Sequence, residues 1–323
     1  MKISVSRVTM VSLVLLAASA LPSIAADVTL KAISFDRRDS TYTRPLVDIV
    51  EMVNKSGTGL TIELIPDGTM SPFAMANAVK TGAVDIGNLP FTFYQNLLPI
   101  GDAMKLATAT SAQLAQNGTV AFLDELHKEK VNAKVLDLFG DGIKFYAYLR
   151  SKKIEKPDLT GLKMRITPIY RAAFRAFGAD VVQMPPPDVY TALERGVIDG
   201  YGWTILDLPK VGWGKFTKYR IEPGFFQAWS AFIINLDSWN KLTPAQQKAL
   251  TDAAKAASKA FNERVPALIA ASTKEQAALG VEVIEFKGPQ GEEFLKTVHK
   301  ASWEEAESID PANAKKLRQL IDR

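Results

Sequence analysis

Hydrophobic and polar positions alternate over "VTLKAISF" (28–35), which predicts a strand ending at Phe35. Leu46, Ile49, Val50 and Val53 then fall at helical spacing, and that pattern stops before Gly57. "LTIELIP" (60–66) predicts a second strand. "SPFAMANAVKTG" (71–82) carries three helix signals: Ser71 as N-cap, Pro72 at the first helical position and Gly82 as the stop. "VDIG" (84–87) follows as a short third strand.

From residue 163 the order repeats. "KMRI" predicts a short strand, and Thr167 with Pro168 opens a helix that stops at Gly178. "ADVVQMP" (179–185) is the next strand, "PDVYTALERG" (187–196) a helix ended by Gly196, and "VIDGYGW" (197–203) the third strand. The helix-to-strand corners share one phrase, "AVKTGAVDIGN" at 78–88 and "ALERGVIDGYGW" at 192–203. In each, a glycine closes the helix in a left-handed conformation and an aliphatic residue enters the sheet. Such corners recur in any α/β protein, so the phrase alone decides little; the matching element order around it points to two like-built lobes. Each reads β-α-β-α-β, the unit of an open parallel sheet, whose ligands sit beyond the carboxyl ends of the strands.

The C-terminal third reads as helical, with Thr243 and Pro244 as a start and Gly280 as a stop. That is long for one globular helix, and a bend near Pro266 is expected. "VEVIEF" (281–286) is one more strand, and the chain ends in amphipathic helix. "FQAWSAFIIN" (226–235) predicts one long strand, able to run from one lobe into the other.

The first 26 residues change the picture of where this chain works. A basic start (Lys2, Arg7), an apolar stretch from about Val8 to Leu21, and Ser23 and Ala25 ahead of a cleavage site form the pattern of a secretory signal. Cleavage is expected after Ala25, with cleavage after Ala26 the close alternative. Without Lys2 and Arg7 the formal charge falls from +4 to +2, and no basic footprint for nucleic acid remains. The roughly 300 mature residues favour two domains. No cysteine is present, which excludes a disulfide scaffold, a cysteine-bound metal and a lipid-anchored N-terminus. No later stretch is apolar enough to span a bilayer. In a bacterium such a protein is addressed to the periplasm.

Reactive constellations are missing. The two histidines, His127 and His299, stand apart without a second ligand at metal spacing, so ordinary packing or surface roles are expected of them. There is no GxSxG elbow, no GxxxxGK[ST] loop and no GxGxxG after a strand. Carboxylate-only acid–base chemistry has no support in the sequence. Arg165, in "GLKMRITP", stands at a strand end ahead of a Thr-Pro helix start, where a guanidinium can grip a carboxylate through two parallel hydrogen bonds. Position alone favours a surface or interdomain salt bridge. Trp203 closes the second corner phrase, with Tyr201 two residues before it on the same strand face. The first corner runs into "NLPFTFYQ", giving Asn88, Phe91, Phe93 and Tyr94, while "KFYAYL" (144–149) adds Phe145, Tyr146 and Tyr148. Most aromatic residues are core; clustering at strand ends is what favours a pocket here.

"KPDLTGLKMRITPIYRAAFRAFGADVVQMPPPDVYTALERGVIDGYGW" (156–203) resembles the central signature of the DctP-type solute-binding proteins of TRAP transporters. That pattern runs through Asp158-Leu159, Gly161, Lys163 and Arg165, then Gly178-Ala179, then Tyr190 to Gly200. "IPDGTM" (65–70) and "VKTGAVDIG" (79–87) match more loosely. The resemblance implies an α/β fold: a two-lobed periplasmic-binding-protein clamshell, each lobe a mainly parallel sheet flanked by helices, joined by long hinge strands and a long helix. Lobe boundaries are expected at 27–142 plus 231–270 and at 143–230 plus 271–323. It implies binding without catalysis, a carboxylate ligand held by Arg165, and delivery to a two-component membrane permease driven by an ion gradient. No cofactor and no metal are expected. The rivals are an exported α/β enzyme acting on an organic acid and a binding protein of an ATP-driven importer.

Two departures bear on the ligand. Several family members carry a second arginine about 20 residues before the first, where Phe145 stands here beside Lys144 and Tyr146. Many sialate- and dicarboxylate-type relatives place Glu-Asn where Gly202-Trp203 stands here. Both changes exchange polar contacts for aromatic ones, so a monocarboxylate with an apolar or aromatic body is expected, rather than a sugar acid or dicarboxylate. Arg165, Trp203, Tyr201, Asn88, Phe91, Phe145 and Phe35 are the expected ligand contacts.

Overall fold

Strand β1 (Val28–Ser34) buries Leu30 and Ala32 on one face and lies between two parallel neighbours in a computed structural model that describes residues 27–322. The expected leader, residues 1–26, lies outside the described residues. Helix α1 (Arg44–Asn54) leads to β2 (Leu60–Leu64), and α2 (Pro72–Lys80) leads to β3 (Ile86–Pro90). The helical spacing read from the sequence is the buried stripe of α1, formed by Leu46, Ile49 and Val53. Two 3-10 turns (91–94 and 99–106), α3 (Ser111–Gln116) and α4 (Thr119–Val131) then bring the chain to β4 (Ala133–Phe139).

The second half begins with β5 (Lys144–Leu149) and then repeats the first. Strand β6 (Lys163–Ile166), α5 (Arg171–Ala176), β7 (Asp180–Gln183), α6 (Pro186–Glu194) and β8 (Gly200–Thr204) follow in order. Strands β9 (Tyr219–Gln227) and β10 (Ser230–Asn235) come next, then α7 (Leu236–Lys241) and α8 (Pro244–Ala278). Strand β11 (Glu282–Glu285), α9 (Gly288–Ile309) and α10 (Pro311–Ile321) close the chain.

Two sheets result, ordered β2-β1-β3-β10-β4 and β7-β6-β8-β5-β9-β11. In each, the repeated unit supplies three parallel strands with its first strand in the middle. A strand from outside the repeated unit then inserts antiparallel beside the third: β10 beside β3, and β5 beside β8. The fold is the two-lobed α/β clamshell.

The repeated corner phrase is one structure built twice. Gly82 and Gly196 adopt φ of +74° and +67°, the left-handed region that ends α2 and α6. Three residues on, Asp85 donates its N–H to the Lys31 carbonyl (2.9 Å) and accepts the Lys31 N–H on its carboxylate (2.7 Å). Asp199 repeats both bonds with Lys163, each at 2.8 Å. The aspartate thus ties the incoming third strand to the middle strand of its sheet.

The lobes are joined where β4 passes into β5 and β9 into β10. Gly140 sits at φ +121°, and a Cβ there would overlap the Ala228 carbonyl oxygen of the other crossover. Only glycine admits this approach. Asn262 of α8 accepts from the N–H groups of Gly140 and Asp141 (3.0 and 3.2 Å). Further along α8, Ser272 and Gln276 donate to the Ile205 carbonyl beyond β8 (2.6 and 2.7 Å), so this 35-residue helix touches both halves. The C-terminal helix α10 returns to the first half, where Asn117 donates to the Leu320 carbonyl (3.0 Å).

Three details differ from the sequence reading. The stretch 226–235 is two strands, because the chain changes sheets at Ala228–Trp229 and no single strand can pair in both. The helix expected from Thr167 starts with a 3-10 turn, Pro168–Tyr170, and turns regular only at Arg171. Strand β4, central to the crossover, was not read from the sequence at all.

Candidate ligand-binding site

The carboxyl ends of β1, β3, β6 and β8 converge where the two sheets face each other, and a small cavity of about 40 Å³ lies there between them. The first sheet and its loops contribute Phe35, Tyr42, Thr92 and Phe93; the second contributes Phe145, Arg165, Tyr170 and Trp203. Ala228 and Trp229, from the crossover itself, close the back. The walls are mainly aromatic, and Arg165 is the one charged side chain among the described lining residues.

Arg165 is fully buried. Its Nε donates to the Met184 carbonyl (3.1 Å) and its Nη1 to the Gly202 carbonyl (3.2 Å), while the guanidinium lies 5.8 Å from the centre of the Trp213 ring. Its Nη2 has no partner, and no carboxylate approaches it within ion-pair distance among the described residues. Burial pushes its pKa down to about 10, which still leaves it charged at neutral pH. A buried cation costs several kcal/mol unless something anionic meets it, and two neutral carbonyls offset only part of that. The site is built for an anion.

Tyr170 enters from the 3-10 turn just past β6. Its ring stacks on Phe174 (5.3 Å between centroids) and meets Phe145 edge-on (5.4 Å). Its hydroxyl is buried and has no partner. Burial holds this phenol well above its ordinary pKa, so it is a donor at physiological pH. Gly202 lies beneath: a Cβ there would overlap the Tyr170 ring.

Direct bonds span the cleft around this cavity. Tyr42 Oη pairs with Thr204 Oγ1 (2.5 Å), the Ile169 N–H donates to Thr92 Oγ1 (3.0 Å), and Asp207 accepts from Thr41. Lys105, buried beside Asp102 (2.8 Å), also donates to the Ile169 carbonyl (3.0 Å). The lobes stand closed on each other.

Four of the seven expected contacts meet at the cavity: Arg165, Trp203, Phe145 and Phe35. Three do not. Tyr201 shares a strand face with Trp203 but lies two residues, ~7 Å, nearer the strand's start. There it stacks on Tyr148, meets Trp213 edge-on and bonds Thr217 (2.5 Å). Asn88 stands behind the wall, its amide donating to the Tyr42 carbonyl (2.8 Å) and to Ser34 Oγ (3.1 Å). Phe91 is turned by its 3-10 helix into the core against Tyr94 and His127. His127 itself is buried, bonded to Leu123 O (2.7 Å) and Tyr94 Oη (3.1 Å).

Sequence reasoning missed Tyr42, Thr92, Tyr170, Thr204 and Trp229. Tyr170 had a signal, since "RITPIY" places it five residues after Arg165, just past the strand end. Tyr42 lies in a polar loop and Trp229 in a stretch read as continuous strand, so neither carried a local sign.

Comparison with known proteins adds a family. The profile described as bacterial extracellular solute-binding protein, family 7 (DctP), matches residues 37–308. The chain is 26% identical over 258 residues to the monocarboxylate 2-oxoacid-binding periplasmic protein of Nostoc sp. (strain PCC 7120), covering 75% of this chain and 66% of that one. It is 27% identical over 217 residues to the 2,3-diketo-L-gulonate-binding periplasmic protein YiaO of Escherichia coli (strain K12), covering 61% and 62%. The match therefore spans just under two thirds of each relative's length. Among solved structures, a TRAP periplasmic solute-binding protein of Roseobacter denitrificans with bound L-galactonate superposes with a TM-score of 0.79 at 20% identity, over 91% of this chain and 99% of that one.

Proposed function

The chain belongs to the DctP family of bacterial extracellular solute-binding proteins, and from that premise we propose that it binds a small organic acid between its lobes and delivers it to a TRAP membrane permease. One observation carries the reading: a fully buried arginine without an acidic partner lines the cavity between the sheets and keeps one guanidinium nitrogen without a hydrogen-bond partner.

The walls favour a monocarboxylate with an apolar or aromatic body. A second carboxylate would meet no second cation there, and a polyol chain would leave hydroxyls against Phe35, Phe93, Phe145 and the two tryptophans. The Nostoc relative's named ligand class agrees with the monocarboxylate part. Each well-covered ring contributes ~1.5–3 kcal/mol of apolar burial. A micromolar dissociation constant needs only about −8 kcal/mol, so Arg165 and a few rings suffice. No histidine, lysine or carboxylate lines the cavity among the described residues.

The working cycle is closure. The two bodies are assigned as 27–142 plus 231–270 and 143–230 plus 271–323, with α10 of the second reaching back onto the first; the ligand favours the closed form because only that form contacts it from both sides. The leader at 1–26 sends the protein to the periplasm. The small and large membrane subunits of the permease, driven by an ion gradient, receive the loaded form. No helix among the described residues is long and apolar enough to cross a membrane, which is compatible with a freely diffusing carrier.

Mass spectrometry of the acid that co-purifies with the protein, followed by a thermal-shift panel, tests this reading. Branched or aryl monocarboxylates should raise the unfolding midpoint. Stabilisation by polar dicarboxylates or sugar acids alone would refute the ligand class.

A further inference from the structure

We propose that the Tyr170 hydroxyl is the second donor to the ligand's carboxylate, beside Arg165, and that Gly202 is the residue that seats it. The inference rests on the carboxylate reading of the cavity and adds a specificity-determining pair to it.

Five buried side-chain polar atoms have no partner among the described residues: Asn88 Oδ1, Asp102 Oδ1, Arg165 Nη2, Tyr170 Oη and Ser258 Oγ. Only Arg165 and Tyr170 belong to the cavity wall. Both are donors. Buried polar groups without partners are rare because each forfeits its hydrogen bonds to water. Two donors left so on one wall are complementary to a group offering two acceptor oxygens and one negative charge. A carboxylate is that group; an amide of the same shape would set its NH₂ against a donor.

Gly202 couples the two. Its carbonyl accepts from Arg165 Nη1 (3.2 Å), which fixes one edge of the guanidinium and leaves Nη2 free. Its missing side chain is the space the Tyr170 ring occupies. No positive φ is recorded for Gly202, so the demand is for room rather than for backbone freedom. Packing against Phe174 and Phe145, together with the Tyr170 N–H bond to the Thr167 carbonyl (3.2 Å), holds the ring in that space. One cation and one neutral donor balance a single carboxylate, so the pair discriminates against a second one.

The test is titration calorimetry of the wild type and Tyr170→Phe with phenylacetate, 4-methyl-2-oxopentanoate, phenylacetamide and succinate. The wild type should bind the two monocarboxylates and reject the amide. Tyr170→Phe, with the ring retained, should bind those acids roughly 10- to 100-fold more weakly at a near-unchanged unfolding midpoint. Unchanged affinity in Tyr170→Phe, in a wild type that binds, overturns this inference and leaves the carboxylate reading standing. A wild type that binds none of the acids overturns the carboxylate reading itself. If Tyr170→Phe fails to fold, a crystal structure of the wild type with phenylacetate decides. Tyr170 Oη about 2.7 Å from a carboxylate oxygen supports the inference, and an apolar ligand atom against that hydroxyl overturns it.

Discussion

Thr41 grips Asp207 twice across the cleft, donating its backbone N–H (2.8 Å) and its hydroxyl (2.6 Å) to the two carboxylate oxygens. Thr41 belongs to the loop after β1, and Asp207 follows β8, so the pair fastens one lobe to the other. Lys210 adds an ion pair to Asp207 (3.0 Å) and a hydrogen bond to Thr41 Oγ1 (2.9 Å). Asp207 holds φ +61°, a left-handed conformation that aspartate and asparagine tolerate better than other side chains.

Asp207→Ala should lower the population of the closed form and with it the apparent affinity, about 10-fold, mainly through faster ligand release. Asp207→Asn keeps the backbone preference and one acceptor, and should fall between. Stopped-flow release rates measure this; equal rates in all three proteins would remove the latch from the closing mechanism.

His127 makes stability depend on acid. Burial depresses its pKa to about 4 against an ordinary 6.5, so the folded state resists a proton that the unfolded chain accepts. The contribution is full above pH 6.5 and is lost as pH falls from there towards 4, by about 2 kcal/mol between pH 7 and pH 5. Urea unfolding at the two pH values checks it. His127→Gln should flatten the slope, whatever it does to stability at pH 7; an unaltered slope would assign the acid sensitivity elsewhere.

Gly140→Ala should cost about 3 kcal/mol or prevent folding. The new Cβ meets the Ala228 carbonyl and the backbone must hold a φ that alanine avoids. Gly142, two residues on at φ +77°, has open space around its would-be Cβ, and its alanine variant should lose less. Comparing their unfolding midpoints separates crowding from backbone strain, and equal losses would contradict the crowding.

Local pattern carried the repeated half of this fold well. Helix caps, glycine stops and alternating strands lie in the chain itself, and the Asp85 and Asp199 corners fold as written. What escaped depends on distant partners. Strand β4 pairs only with β10, whose residues come almost a hundred positions later, and β9 ends where the sheet changes rather than where its hydrophobic run does. At the site, Arg165 was legible because motif and strand end coincide. Tyr201 and Phe91 were misplaced for opposite reasons: the first has the right face at the wrong depth, the second the right strand end turned away by a 3-10 helix. Tyr42, Thr204 and Trp229 reach the cavity only through lobe closure and crossover, which no local spacing encodes.

The most direct measurement is calorimetric titration of the co-purifying acid into wild type, Arg165→Met and Arg165→Lys. If Arg165 holds the carboxylate, methionine should weaken binding by about 2–5 kcal/mol, at least roughly 30-fold. Lysine should restore only part of that, because an ammonium lacks the planar fork. Wild-type affinity in a folded Arg165→Met protein would contradict the proposal.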